Sequence, residues 1–147
     1  SGGSGADGIS LTALDVDRIT TFVGGTGGGI GYVGLPGWSV EVDTWYNSAH
    51  SDPTSEDHVS FHLDGDINTP LAWAVLPEME DEEWHRASIE VIGSYVRVWI
   101  DGVLYIDTTI PGLEPFDAYV GFTAATGGAN NWHQIDSLEV EGFVCDE

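Results

Sequence analysis

Ser39-Val40-Glu41-Val42-Asp43-Thr44-Trp45-Tyr46-Asn47, followed by Asp52-Pro53 and then His58-Val59-Ser60-Phe61, is the stretch that decides the fold. From Trp38 to Trp45, apolar Val40 and Val42 alternate with acidic Glu41 and Asp43, the period-two pattern of a strand with one apolar and one polar face. Side chains two apart on a strand leave the same face, so Glu41 and Asp43 stand side by side, roughly 7 Å apart along the chain. Two carboxylates so placed repel, and burying them unpaired is costly. A cation between them removes that cost. Asn47 and Asp52 follow in a polar loop, and His58 opens the next strand. Hard carboxylate and amide oxygens suit calcium, whereas a mixed carboxylate and imidazole set suits manganese or a similar divalent ion. The stretch reads as a metal site that organises a loop between two strands.

Outward from it the same alternation recurs. Val59, Phe61 and Leu63 alternate with His58, Ser60 and His62. Trp84 to Ile92 and Tyr95 to Ile100 read as two further strands joined at Gly93-Ser94, and Asp101-Gly102 is a tight-hairpin signal leading into Val103 to Ile106. Ala118 to Ala124 and Ser137 to Val144 supply two more. No window shows helical periodicity, and turn signals at about ten-residue intervals favour an antiparallel sandwich over a parallel α/β sheet. Gly24 to Gly29 is a loop between strands, and Glu78 to Glu83 is a solvated acidic loop. No internal repeat is present.

The 147 residues are of a size for one domain, residues 1–147, with a core of its own. There is no lysine; three arginines oppose 25 acidic residues, for a net charge of −22. Such a surface repels nucleic acid and anionic lipid and attracts cations. The same composition suits a salty habitat, so charge alone does not establish a metal site. No apolar run is long enough to span a membrane, so membrane insertion is not expected. With no leader segment, the chain reads as an excerpt of a mature protein that is secreted or held at the cell surface. Cys145 stands alone, either an inert thiol or one half of a disulfide whose other half lies elsewhere.

Four segments in order carry a family resemblance: Ala6-Asp7-Gly8-Ile9; the glycine loop ending Gly29-Ile30-Gly31-Tyr32; Val40 to Trp45 with Asn47, Asp52 and His58; and Val120-Gly121-Phe122-Thr123-Ala124-Ala125-Thr126-Gly127. Together they span nearly the whole chain, which resembles the L-type (legume-type) lectin domains of the concanavalin A-like superfamily, in their bacterial and archaeal adhesin variety. The resemblance implies an all-β jelly-roll sandwich of two antiparallel sheets that binds glycans of a cell surface or matrix beside Ca2+ and a transition metal such as Mn2+. Relatives carry additional strands before the Ala-Asp-Gly segment, where this chain has Ser1-Gly2-Gly3-Ser4-Gly5. The domain is therefore expected to be either minimal or completed by another polypeptide segment.

Residue by residue, the resemblance implies that Asp43 and Asp52 bridge both ions. Asn47 and the Trp45 carbonyl complete the calcium shell, and Glu41 and His58 serve the transition metal. The Asp52-to-His58 interval is one residue longer than is common, which leaves His50 and His62 as rivals, and a core hydrogen bond as the plain role for His58. For sugar, the resemblance implies Asp7 after a cis peptide bond, the Gly27 amide, and Asn47 acting through its nitrogen while its oxygen binds calcium. Gly128 and Ala129 match the variable specificity loop. Tyr46, Trp45 and Trp132 are candidate stacking platforms, though each could instead belong to the core.

Two other classes compete. Laminarinase-type glycoside hydrolases share such a sandwich but need a nucleophile and an acid about 5 to 5.5 Å apart, and here Glu41-x-Asp43 continues into Trp45 and Asn47 with no third acid, so no enzyme is expected. A laminin-G-like adhesive sandwich without sugar specificity would account for the hairpins but not for Asp7 with Gly27. Serine or cysteine catalysis has no support, since no serine sits in an elbow motif.

Overall fold

The computed structural model describes residues 5–142. Among these residues eight strands form two antiparallel sheets. They are β1 (Gly8–Asp15), β2 (Gly37–Asp43), β3 (His58–Leu63), β4 (Ala72–Val75), β5 (Ala87–Ile92), β6 (Tyr95–Ile100), β7 (Val103–Thr109) and β8 (Ala118–Ala125). A five-stranded sheet runs in the order β4-β3-β2-β1-β8, and a three-stranded sheet in the order β5-β6-β7. The all-β sandwich expected from the alternation is what forms. Among the described residues no helix is long and apolar enough to cross a membrane.

Pairing register explains how one sequence pattern yields a core and a site. Val40 lies opposite Phe61 and Leu11, while Glu41 lies opposite Ser60 and Ser10. Directly opposed residues share a face, so the larger sheet has an apolar face built from Val40, Val59 and Phe61 and a polar face built from Ser10, Glu41, Asp43, His58 and Ser60. The apolar face packs against Val96, Val98, Ile100 and Ile106 of the smaller sheet. The polar face is covered by the loop after β1, whose Ile30 and Tyr32 are fully buried with Ile67 nearby. Both hairpins of the smaller sheet are tight, and at the β6–β7 turn Asp101 and Gly102 both take positive φ (50° and 79°), the left-handed pair that a two-residue turn requires.

The smaller sheet is two strands narrower than the larger one. Its β7 lies against β4, so it covers the β4-β3-β2 side. Ile9 and Leu11 of β1, with Val120 and Phe122 opposite Ala13 and Leu11 on β8, stay outside the core cluster.

Several strand expectations need correction. Trp84, His85 and Arg86 are not in a strand; β5 begins at Ala87, and Trp84 is exposed because Asp101 holds His85 and the Arg86 amide at the hairpin tip. Ser137 to Gly142 forms no strand, and Ile135, Leu138 and Val140 are exposed, because no strand among the described residues pairs with it. Val144 and Cys145, like Ser1 to Ser4, lie outside the described residues. The strands β1 and β4 were not foreseen: β1 mixes Ser10 and Thr12 into an otherwise apolar run, and β4 is four residues long. The glycine loop contains a short 3-10 turn over Gly27–Gly29.

Candidate metal centre and ligand pocket

At the end of the β2–β3 pair, Asp43 lies directly opposite His58, and Glu41 projects from the same face one pair further in. Glu41, Asp43 and His58 each present a ligand atom, and the three atoms lie within 4.8 Å of one another. All three residues are at most 2 % exposed. The Trp45 amide donates to one Asp43 oxygen at 2.8 Å, while Asp43 Oδ2 is buried with no hydrogen-bond partner among the described residues. His58 Nδ1 is 3.1 Å from the Glu56 carbonyl, which fixes the proton on Nδ1 and leaves a lone pair on Nε2. That Nε2 is also buried and unpartnered.

An unpaired carboxylate oxygen and an unpaired imidazole nitrogen, both buried and convergent, form a donor set that fits a divalent cation. The ion would supply the positive charge that the pair lacks. Burial pushes the Asp43 carboxyl up to about 8, and the charges of Glu41, Asp52 and Asp7 act in the same direction.

Glu41 is held differently. Ser60 Oγ donates to its Oε1 at 2.7 Å, His62 Nε2 lies 3.0 Å from the same oxygen, and Tyr32 OH donates to Oε2 at 2.6 Å. Burial opposes the carboxylate, but His62, Tyr32 and Ser60 outweigh it and hold Glu41 below its ordinary value. Burial likewise opposes charge on His62, and the Glu41 carboxylate reverses that and raises it. His62, the rival ligand, is thus the partner of Glu41, its other nitrogen 2.9 Å from the Asp66 carbonyl. Ser60 and His62 were legible as members of the Glu41 face, being two apart on β3. Tyr32 was not, because a loop delivers its hydroxyl.

Asp52 stands beside this group but does not join the converging three. It accepts the Asn47 amide, and burial raises it above its ordinary value. Asn47 Nδ2 donates to the Trp45 carbonyl at 3.0 Å and lies 3.4 Å from Asp7 Oδ1. Asn47 therefore links the metal-side loop to Asp7. Gly28 permits this approach, since a Cβ there would lie 2.8 Å from the Asn47 amide group and from the His50 ring.

Asp7 follows a cis peptide bond after Ala6 and is 4 % exposed. Its amide donates to the Ala125 carbonyl and its own carbonyl accepts from the Thr44 amide, so the ends of β8 and β2 clamp it. Asp7 Oδ2 is buried without a partner. Gly27 (φ +60°) and Gly127 flank that oxygen: a Cβ would stand 3.9 Å from it at Gly27 and 3.4 Å at Gly127. In the loop after β8 it is Gly127 that comes up to Asp7, while Gly128 is exposed and Ala129 half-buried. Trp45, Tyr46 and Trp132 are exposed by 41 %, 52 % and 73 %, which removes the core role for each ring. His133, which the sequence did not single out, lies within the field of Asp7 with its Nε2 buried and unpartnered. No protein-family model matches the chain.

Proposed function

We propose that this chain is a divalent-cation-dependent carbohydrate-binding domain, of the L-type lectin kind, acting in adhesion at a cell surface or in a secreted protein. One observation carries the reading. Three buried, unpartnered polar atoms, Asp43 Oδ2, His58 Nε2 and Asp7 Oδ2, occur in one region, with Asn47 joining the Asp7 side to the Asp43 side. Buried polar atoms are nearly always paired, so a set of orphans in one place points to ligands. Calcium suits the oxygens of Asp43, Asn47, Asp52 and the Trp45 carbonyl, and a transition metal such as manganese suits Glu41 with His58. The ions would hold Asn47 and Asp7 in place, and Asp7 Oδ2 would accept from sugar hydroxyls over the glycine floor of Gly27 and Gly127. Binding is favoured over hydrolysis here because Glu41 is engaged by Tyr32, Ser60 and His62 and has no third acid beside Asp43 on its strand.

The same reading makes the uncovered apolar face of β1 and β8 the place where a completing, strand-forming polypeptide segment docks. The β8 edge, Ala118–Ala125, carries no charge and no proline to discourage pairing.

A glycan array probed with calcium and again with chelator tests the function. Binding should appear with calcium, vanish with chelator, and be lost in Asp7→Ala, whose calcium-linked rise in melting temperature should persist. An array blank under both conditions would overturn the sugar reading.

A further inference from the structure

We propose that the open edge of β4 is a docking site for an extended segment of a partner protein, in which basic side chains alternate with apolar ones. It goes beyond the carbohydrate reading and stands apart from the uncovered β1–β8 face, because β4 and β8 are the two opposite edges of the five-stranded sheet. Along β4 the usual arrangement is inverted. Ala72 and Ala74 lie opposite Phe61 and Val59 and pack on the core. The alternate residues Leu71, Trp73 and Val75 are exposed, and Leu71 is tied to β3 by its amide on the Phe61 carbonyl. Large apolar side chains thus form a ridge toward water, while small ones fill the interior side. Single exposed apolar residues are ordinary, but three at period two on one edge strand mark a contact surface.

The ridge borders a groove of about 410 Å³ where the two sheets meet, lined by Leu71 and Trp73 on one side and by Tyr105 and Asp107 of β7 on the other. Among the described residues β4 pairs only with β3 and β7 only with β6, so both walls are open strand edges. An open edge presents unpaired N–H and C=O groups that a further strand can satisfy. β4 carries neither a charge nor a proline to prevent it. Charge then selects the occupant. Asp107 stands in the groove wall, and no basic residue lines the groove. Past the end of β4 the Leu76 amide donates to the Asp57 carbonyl and the Met79 amide to Asp57 Oδ2, each at 2.7 Å. Those contacts set the Asp57 carboxylate beside the Glu78-Met79-Glu80 run. A second copy of this chain, with its own net charge of −22, would be repelled. A strand that alternates lysine or arginine with valine, isoleucine or leucine meets all of these demands. Its apolar face continues the Leu71-Trp73-Val75 ridge, its basic face turns toward Asp107, and its backbone pairs with β4.

The probe is an end-blocked octapeptide of alternating lysine and valine, titrated into the full chain in the presence of calcium, with lysine–serine and glutamate–valine octapeptides beside it. The lysine–valine peptide should bind, with an affinity that falls as salt rises. The glutamate–valine peptide should not bind, and the lysine–serine peptide should bind about tenfold more weakly or worse. Trp73→Ala should weaken the lysine–valine peptide about tenfold, and Asp107→Asn should weaken it and flatten its salt dependence. Leu71→Ser, just outside β4, supplies the same reading should Trp73→Ala not fold. Alternate amides of a strand point to opposite edges, so methylating the valine nitrogens or the lysine nitrogens separates edge pairing from loose contact. One methylated peptide should lose binding and the other keep it. Equal binding of the lysine–serine and lysine–valine peptides, or wild-type affinity in the ridge variants, would reduce the effect to net charge and overturn the proposal. Equal effects of the two methylations would overturn it too, as would a lysine–valine peptide that does not bind.

Discussion

Asp43 and His58 lie directly opposite one another on β2 and β3, and each ends in a buried atom without a hydrogen-bond partner among the described residues. Burial and neighbouring carboxylates push the Asp43 carboxyl up to about 8 in the metal-free chain. Its proton must leave before a cation can take its place. Cation affinity should therefore rise with pH and level off above about 8, with protons released on binding at pH 7. Titration calorimetry in two buffers of different ionisation enthalpy measures that release. An affinity flat from pH 6 to pH 9 would contradict it.

Glu41 and Asp43 are two residues apart on one face, yet their replacement should have opposite effects on the metal-free fold. Glu41→Ala removes the acceptor shared by Ser60, His62 and Tyr32 and leaves buried donors stranded, at a cost of about 3 to 5 kcal/mol. Asp43→Ala deletes a poorly satisfied buried carboxyl, so without cation it should be neutral or stabilising. With saturating calcium the order changes, because Asp43→Ala forfeits the ligand-linked stabilisation. Urea unfolding of both variants, with cation and with chelator, gives the four values needed.

Much of this site was legible in the sequence because its parts share a strand face. Glu41 and Asp43 are separated by two, as are His58, Ser60 and His62, and antiparallel pairing lays the two series side by side. The loop residues were legible only in part. Asn47 was read from the polar loop itself, and Asp7 and the loop opening at Gly127 came by resemblance, whereas Tyr32 reaches the site through a loop path that no local period encodes. The strand misread over Ser137 to Gly142 has the opposite origin: its alternation is real, but a ladder needs a neighbour, and sequence alone does not say whether one is present. Trp84 to Arg86 failed for a third reason, since a side-chain contact of His85 with the hairpin overrode β propensity.

That contact has its own pH window. His85 Nδ1 is 2.8 Å from Asp101 Oδ2 and Nε2 is 3.1 Å from Asp81 Oδ1, joining the acidic loop to the β6–β7 turn. The Asp101 hydrogen bond raises His85 above its ordinary value; His85 and the Arg86 amide lower Asp101, and the Glu83 amide and His85 lower Asp81. A raised histidine stabilises fully below its unfolded value, and that contribution is lost as pH rises through the folded one. Lowered carboxylates stabilise above their unfolded value, and lose it as pH falls through the folded one. The clamp should thus be strongest between about pH 4 and pH 6.5. His85→Ala should lower the melting temperature slightly in that window and not at all at pH 9, a difference that shrinks with added salt because the pair is exposed.

The uneven width of the two sheets separates Phe122 from Phe61. Phe61 is fully buried between the sheets, whereas Phe122, opposite Leu11 on the β1–β8 side, lies outside the core cluster. Phe61→Ala should cost about 3 to 5 kcal/mol, as for a deep core phenylalanine. Phe122→Ala should cost well under half of that, because the removed ring was only partly withdrawn from water. The same exposure should let the chain bind an apolar fluorescent dye, and Phe122→Asp should reduce that signal without unfolding the protein. Denaturant unfolding and dye titration on the three variants decide it. Equal costs for Phe61→Ala and Phe122→Ala would mean that the β1–β8 face is already covered, and a docking segment for it would then have no place to bind.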